Sequence, residues 1–455
     1  MTKKDILPGS MRETVNMALP MIVSSACDTL MIFIDRLFLA KVSTHNMNAS
    51  MLGGLTIFLL TTFFVGLINY STALVAQYFG SEQKAKCSIA TFQALIIALI
   101  ATPIIILLKP LVFAIFDNSN LVVEQLVLQK QYAGILNTFV IFGLIRTVLA
   151  CFFSGTGRTK IVMLSALTAM VVNVGMNYLL IFGKYGFPAM GIRGAAYGTV
   201  IGTAVAVIVL LIVYLSKQNE KEYNVKKSFH INKLIMFKLL RYGYPAGLEF
   251  LLNFAAFNFM ILLFHSDGPL TATAITVTFN WDLVSFVPLI GLEIAVTSLV
   301  GRYMGAERAD YAHRATMSAL KLGWMYSFII FILFITMSGT LVEVFRPSGD
   351  VELFLAAKPI AARMIKFAAI YVMTESVILT FAGALRGAGD TFWTMIISVS
   401  IHWVLIVVTF VMLKVLHCTA MQTWFAVICV FSLFGVSFFL RYRTGKWKQI
   451  EVIQH

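Results

Sequence analysis

About twelve apolar runs, most of them long enough to cross a lipid bilayer, follow one another from residue 14 to residue 440. They fall at 14–40, 49–79, 88–115, 131–154, 160–183, 194–216, 238–265, 270–301, 314–345, 361–385, 392–416 and 420–440. A helical crossing takes about 20 residues, since the hydrocarbon layer is about 30 Å thick. In lipid the backbone has no water to bond, so such runs must close their hydrogen bonds internally as helices. Charged residues make up only 12% of the 455 positions, against about a quarter in soluble domains. The expected fold is an all-α membrane protein with about twelve transmembrane helices. The polar stretch 1–12 enters the first run without a small-residue cleavage site, so no cleavable signal peptide is expected.

The formal net charge is +14 at pH 7. Sorted by alternate loops, 23 of the 35 Lys and Arg residues fall on one side of the runs and ten on the other, with Arg36 and Arg146 inside runs. Short cytoplasmic loops are enriched in Lys and Arg. The richer side, which includes both termini, is therefore expected to face the cytoplasm across a cell (inner) membrane. Topology then accounts for the basic balance, and no nucleic-acid partner is expected. The five cysteines (Cys27, Cys87, Cys151, Cys418 and Cys429) are scattered, which indicates neither a disulfide framework nor a zinc site. No G-x-x-x-x-G-K-[ST] loop or H-E-x-x-H helix is present, so neither ATP hydrolysis nor zinc chemistry is expected and the chain does not read as an enzyme.

The two halves repeat. Pro20 in "MALPMIV" matches Pro245 in "YGYPAGL", and "VAQYFGSEQKAKCSIAT" matches "VGRYMGAERADYAHRAT", both at an offset of 225. "FSGTGRTK" matches "LRGAGDTF" at 232. Six runs per half return the chain to its starting side, so the repeats are parallel, and parallel repeats place a solute path between them. The expected organisation is two pseudo-symmetric six-helix bundles, 1–216 and 238–455, joined by a cytoplasmic linker, 217–237. The linker is the most polar stretch and its charges are expected to be solvated, with some attraction to anionic lipid headgroups.

Acidic residues lie inside these runs. A charge at the bilayer centre costs about 2.5–3.5 kcal/mol on insertion scales, so such residues face a cavity or a partner and commonly handle ions or charged solutes. Asp28 and Asp35 are seven apart in the first run, two helical turns, and share a face. Together they suit a cation or a shared proton; a hydrogen bond to a neighbouring helix is the alternative for Asp28. Asn173 and Asn177, four apart, can supply neutral oxygens, and Thr199 in "GAAYGTVIG" is a weaker candidate. In the second half Glu249 follows Pro245 by four residues, with Asn253 one turn on. Glu375 has Tyr371 one turn before it, and Asp282 lies in "TFNWDLVSFVP". Glu249 and Glu375 are the leading pair of this half, with a structural ion pair as the alternative. Asp282 and Asn253 are candidates for a substrate cavity. Glu293, nearer the cytoplasmic end of its run, reads as a cap or as a partner for a cytoplasmic Lys or Arg. His265 and His402 are isolated. The 22 Met and 38 Phe residues are mostly packing and lipid-facing residues, though a Met and aromatic lining suits hydrophobic cations.

At these residues the chain resembles the multidrug and toxic compound extrusion (MATE) family, nearest its bacterial NorM-like branch. The resemblance is carried by "ALP...FIDRLFLA", "YGYPAGLEF", "AVTSLVGRYMGA" and "AGALRGAGD" and covers nearly the whole length. It implies a secondary antiporter that exports small organic cations or drugs against a proton or Na⁺ gradient. No cofactor beyond that coupling ion is implied, and the partners are substrate and membrane lipid, with the chain a monomer. The family's first-run acid falls on Asp35, its seventh-run Glu on Glu249, its tenth-run acid on Glu375 and its Tyr on Tyr371. A first-bundle site would comprise Asp35, Asn173, Asn177 and Thr199. Na⁺ would sit at Glu249, Glu375 and Tyr371, or at Asp35 and Asn173. The chain departs from the family pattern at Asn177, where Asp is common, at Asp28, where Gln is common, at Arg36, and at Glu375, where Asp is usual. The other readings are a flippase for lipid-linked or polyanionic substrates and a non-transporting membrane receptor or scaffold.

Overall fold

The computed structural model describes residues 7–117, 123–346 and 351–453; Lys3 and Lys4, counted above among the loop charges, lie outside them. The described chain is helical. The first half contains α1 (Met11–Ala40), α2 (Thr44–Asn69), α3 (Ser71–Gly80), α4 (Lys84–Leu107), α5 (Lys109–Asp117), α6 (Val123–Thr138), α7 (Val140–Gly155), α8 (Thr159–Phe182) and α9 (Ile192–Tyr214). After the short α10 (Lys217–Tyr223) come α11 (Lys233–His265), α12 (Pro269–Gly305), α13 (Ala309–Glu343), α14 (Val351–Ala388), α15 (Thr391–Phe410) and α16 (Ala420–Arg443).

Among the described residues eleven stretches are long and apolar enough to cross a membrane, and α6 with α7, bent by 48° at their break, makes a twelfth if the pair is one broken span. The helices outrun the apolar sequence. α14 begins at Val351, ten residues before its apolar run, and carries Lys358, Arg363 and Lys366 on its leading turns. Apolarity marks the part suited to lipid, whereas the i→i−4 hydrogen bonds continue beyond it.

The contacts separate the chain into two compact units. One comprises Met1–Ile22, Glu249–Met304 and Arg308–Glu451; the other comprises Val23–Leu248, Gly305–Glu307 and Val452–His455. These divisions fall just past Pro20 in α1 and Pro245 in α11 rather than at the polar stretch. The stretch 217–232 belongs to the second unit and is docked on it. Tyr223 and Val225 are buried. Ser88 donates to the Tyr223 carbonyl at 2.7 Å, Gln93 donates to the His230 carbonyl at 3.0 Å, and the Asn232 N–H donates to Gln93 at 3.2 Å. Burying two apolar side chains brings backbone groups out of water, and these α4 side chains satisfy them. The stretch is thus a packed segment rather than a free linker, with most of its lysines exposed as expected and Phe229 and Ile231 also exposed.

The same contacts recur in each half of the sequence at the repeat offsets. Glu82 and Glu307 both adopt left-handed backbone, with φ of 62° and 58°. Beside them the Gln83 N–H bonds the Tyr78 carbonyl at 3.0 Å and the Arg308 N–H bonds the Tyr303 carbonyl at 2.8 Å. This is the helix-ending motif in which a left-handed residue lets the chain bond back to the last turn. Gly155 lies so close to the second span of its half that a Cβ would sit 2.8 Å from the Thr72 carbonyl oxygen. At Gly387 it would sit 2.6 Å from the Thr297 carbonyl oxygen, the counterpart of Thr72.

Gly155→Ala and Gly387→Ala should therefore each destabilise the detergent-solubilised protein by the roughly 1–3 kcal/mol typical of overpacking, seen as a lower melting temperature. Gly143→Ala, where a Cβ meets nothing within 4 Å, should leave it unchanged or slightly raised.

Candidate functional site

In the second unit, close helix packing builds a polar cluster around Asp35. Gly194, Gly198 and Gly202 recur every four residues and line one face of α9. A Cβ at Gly194 would lie 2.6 Å from the Leu180 backbone, one at Gly198 would strike Asn177, and one at Gly202 would lie 2.9 Å from the Ala169 carbonyl oxygen. Small residues at this spacing let helix backbones approach closely. The approach of α9 to α8 brings Thr199 beside Asn173 and Asn177, opposite Asp35 of α1.

Asp35 is 4% exposed, and Asn173 and Asn177 are fully buried. Asn177 donates through Nδ2 to Asp35 Oδ1 and, at 3.3 Å, to Asn173 Oδ1. Thr199 Oγ1 stands 2.9 Å from Asp35 Oδ2 and 3.0 Å from the Ala195 carbonyl oxygen. It has one proton, so it serves one acceptor at a time. Asn177 Oδ1 is buried with no donor among the described residues. Asp35 makes no ion pair among them; the adjacent Arg36 charge acts on it without a hydrogen bond. A buried carboxylate served by neutral donors, with an open amide oxygen beside it, suits a proton or a monovalent cation that prefers oxygen. Asp28 stands apart from this cluster. Arg146 of α7 bonds its Oδ1 at 2.7 Å, so the two acids on one face of α1 meet different partners.

The first unit holds two clusters where the sequence suggested one. Tyr371 of α14 donates to Asp282 of α12 rather than to Glu375. The two α14 residues share a face, but the phenol reaches across to the next helix, with its ring packed against Trp424 and Phe431. Glu375 is 3% exposed, its Oε2 is buried without a partner, and it makes no ion pair among the described residues. Asp282 is the charge that acts on it. Trp281 points away, donating to the Leu341 carbonyl at 2.9 Å.

The second cluster centres on Arg386, two residues before the end of α14. Its Nη2 donates to Glu249 Oε1 at 2.8 Å and its Nη1 donates to Glu293 Oε1. Glu249 is 2% exposed and its Oε2 has no donor among the described residues. One turn on, Asn253 donates to Ser398 at 2.7 Å, and its own Oδ1 is likewise buried and unserved. His402 hydrogen-bonds the Ser398 carbonyl through Nδ1 at 2.9 Å and lies near enough for the Glu249 charge to act on it. Asp282 and Asn253, both candidates for one cavity, therefore belong to different clusters. A structural ion pair, the alternative for Glu249 and Glu375, is what Glu249 makes with Arg386, and Glu293 takes the same arginine, the second of its two readings. One sequence signal was available. At the repeat offsets the counterparts of Glu249, Glu293 and Arg386 are Ser24, Ile68 and Ser154, all uncharged. Among the described residues no group of three or more His, Cys, Asp and Glu residues is arranged to hold a metal ion.

Comparison with known proteins agrees with this architecture. The MatE family pattern matches residues 20–179 and 245–412. A probable multidrug resistance protein NorM from Thermotoga maritima is 25% identical over 99% of this chain and 96% of its own. A protein of the same description from Bacillus cereus is 23% identical over 87% and 86%. Among solved structures, a MATE bound to MaL6 superposes with a TM-score of 0.87 at 18% identity, covering 98% of both chains. A MOP superfamily transporter from Pyrococcus furiosus, described as having a binding pocket of reverse polarity, superposes at 0.88 and 17% identity over 97% of both. At these identities the superpositions establish the fold.

The Asp35 cluster makes its own prediction. Asn177→Ala removes a donor from a buried carboxylate and should cost about 1.5–3 kcal/mol of stability. Gly198→Ala should cost a similar amount, because the new Cβ takes the place of the Asn177 amide. Combined, the two should cost clearly less than their sum, since both act on one contact. Thermal unfolding of the two single variants and the double variant measures this; strict additivity would separate Gly198 from Asn177.

Proposed function

The chain belongs to the MatE family, and from that membership we propose that it is a secondary antiporter exporting small organic cations in exchange for Na⁺ or H⁺. The NorM relatives are described as probable multidrug resistance proteins, and that activity is the one proposed for this chain. The observation that carries the reading is Glu375. It is a carboxylate 3% exposed, inside an apolar helix, with a buried unpartnered oxygen and no ion pair among the described residues. An acid that costs several kcal/mol to hold in lipid, without a basic partner, is suited to binding a transient positive charge.

Asp35 supports the same reading in the other unit, where Asn173, Asn177 and Thr199 supply neutral groups around it. Neutralising either acid changes the hydrogen bonds tying α1 to α8 and α9, or the balance between α12 and α14. Coupling follows if ion and substrate favour different conformations of the same protein, because each then changes the other's affinity by the same factor. Both clusters are net acidic or neutral rather than basic, which favours a cationic cargo over a polyanionic one. The Lys and Arg asymmetry supports cytoplasmic termini.

In proteoliposomes carrying a fluorescent organic cation, an imposed Na⁺ gradient or an imposed pH gradient should drive exchange. The gradient that succeeds identifies the coupling ion; failure of both would overturn the antiport reading. Glu375→Gln should lower gradient-driven efflux at least tenfold, or about 1.4 kcal/mol in the coupled step, while the protein accumulates in the membrane. Asp35→Asn should impair efflux in the same direction. Wild-type rates in both variants would remove these acids from the transport cycle.

A further inference from the structure

We propose that Arg386 is a built-in counter-ion of Glu249, held in place by Glu293 and displaced from Glu249 by the incoming monovalent cation. This rests on the antiport reading above. Arg386 would then be a positioning residue: it acts through Glu249 and sets how readily that carboxylate accepts a mobile charge.

The geometry is that of a shared guanidinium. The planar fork of Arg presents separate N–H groups, and here Nη2 goes to Glu249 at 2.8 Å while Nη1 goes to Glu293. If the bond to Glu249 breaks, Glu293 still holds the guanidinium, so the partly buried cation is not left without a partner. Stranding a charge is the step that makes a simple buried ion pair expensive to open. Glu249 is ready for the exchange. Its Oε1 is held by the arginine while its Oε2 is buried and unserved, and Asn253 Oδ1 one turn away is also unserved. Two open oxygens on one face of α11 invite a donor or a cation. Two carboxylates and one guanidinium leave a net charge of −1, which matches one monovalent ion.

The cluster is not needed to build a six-helix bundle. Its positions in the first half are Ser24, Ile68 and Ser154, and that half closes its helices without any charge there. A partly buried ionic network absent from the matching positions of the repeat points to a role beyond packing.

The test measures the coupling-ion concentration giving half-maximal cation efflux in proteoliposomes of the full chain. Glu293→Gln removes the holding acid, leaves Arg386 to Glu249 alone, and should raise that concentration about five- to tenfold. Arg386→Gln removes the competitor and should lower it, with slower turnover as the ion is released more reluctantly. The double variant Glu293→Gln/Arg386→Gln should return the value to wild type or below it, rescuing the single Glu293→Gln defect. A merely structural network would give shifts of one sign, with the double variant worst. Shifts of the same sign, no shifts, or a double variant no better than Glu293→Gln would overturn the proposal. Where Arg386→Gln fails to accumulate, the double variant decides alone, and a value above wild type is fatal. Glu249→Gln separates this proposal from the reading beneath it. Full gradient-driven efflux in that variant removes Glu249 as an ion ligand altogether. Loss of efflux without the opposed shifts overturns only the role of Arg386.

Discussion

A polar group placed in hydrocarbon has to find its partner inside the protein, and that constraint organises this chain from the backbone outward. It closes the apolar runs into helices. Burial against the protein imposes the same need outside the lipid, where the short stretch after α9 borrows Ser88 and Gln93 to bond its carbonyls and amides. The constraint gives acids in the spans particular neighbours: Asn177 and Thr199 for Asp35, Arg146 for Asp28, Tyr371 for Asp282, and Arg386 for Glu249. Among the described residues Glu375 has no such neighbour, and an acid of that kind is where a charged visitor is expected.

The helices, their number and the internal repeat were legible because each rests on local pattern. Length of an apolar run, loop charge and matched glycine motifs need no knowledge of which helix touches which. The grouping of Asp35 with Asn173, Asn177 and Thr199 came from the family resemblance. Spacing alone put the two Asn residues on one helix face and left Thr199 a weaker candidate. The partners in the other unit were not legible, because they depend on reach across helices. Spacing put Tyr371 beneath Glu375, yet a phenol extends far enough to choose Asp282 instead. Arg386 was counted among loop charges since it lies at the end of α14, but a long guanidinium stem carries its head back to Glu249 and Glu293. Side-chain length blurs what position along the chain implies.

The repeat and the clusters follow different rules. Gly155 and Gly387 make the same contact, and Glu82 and Glu307 bend the chain in the same way. The polar residues are not shared. Asp35, Asn173 and Asn177 face Met260, Leu405 and Thr409 at the repeat offsets, while Asp282, Tyr371 and Glu375 face Ile57, Phe139 and Gly143. Duplication supplied a common scaffold, and each copy carries its own chemistry at places where the other is apolar or small.

Thr199 gives this arrangement a further property. Its lone hydroxyl hydrogen stands between a carboxylate oxygen of Asp35 and the carbonyl of Ala195 one turn back on its own helix. Should Asp35 lose its negative charge, that hydrogen can turn to the carbonyl, and nothing on α9 is left wanting a bond. Asp35 can therefore part from α9 without orphaning a donor. The linkage between α1 and α9 behaves as a catch whose release carries no desolvation penalty on the threonine side.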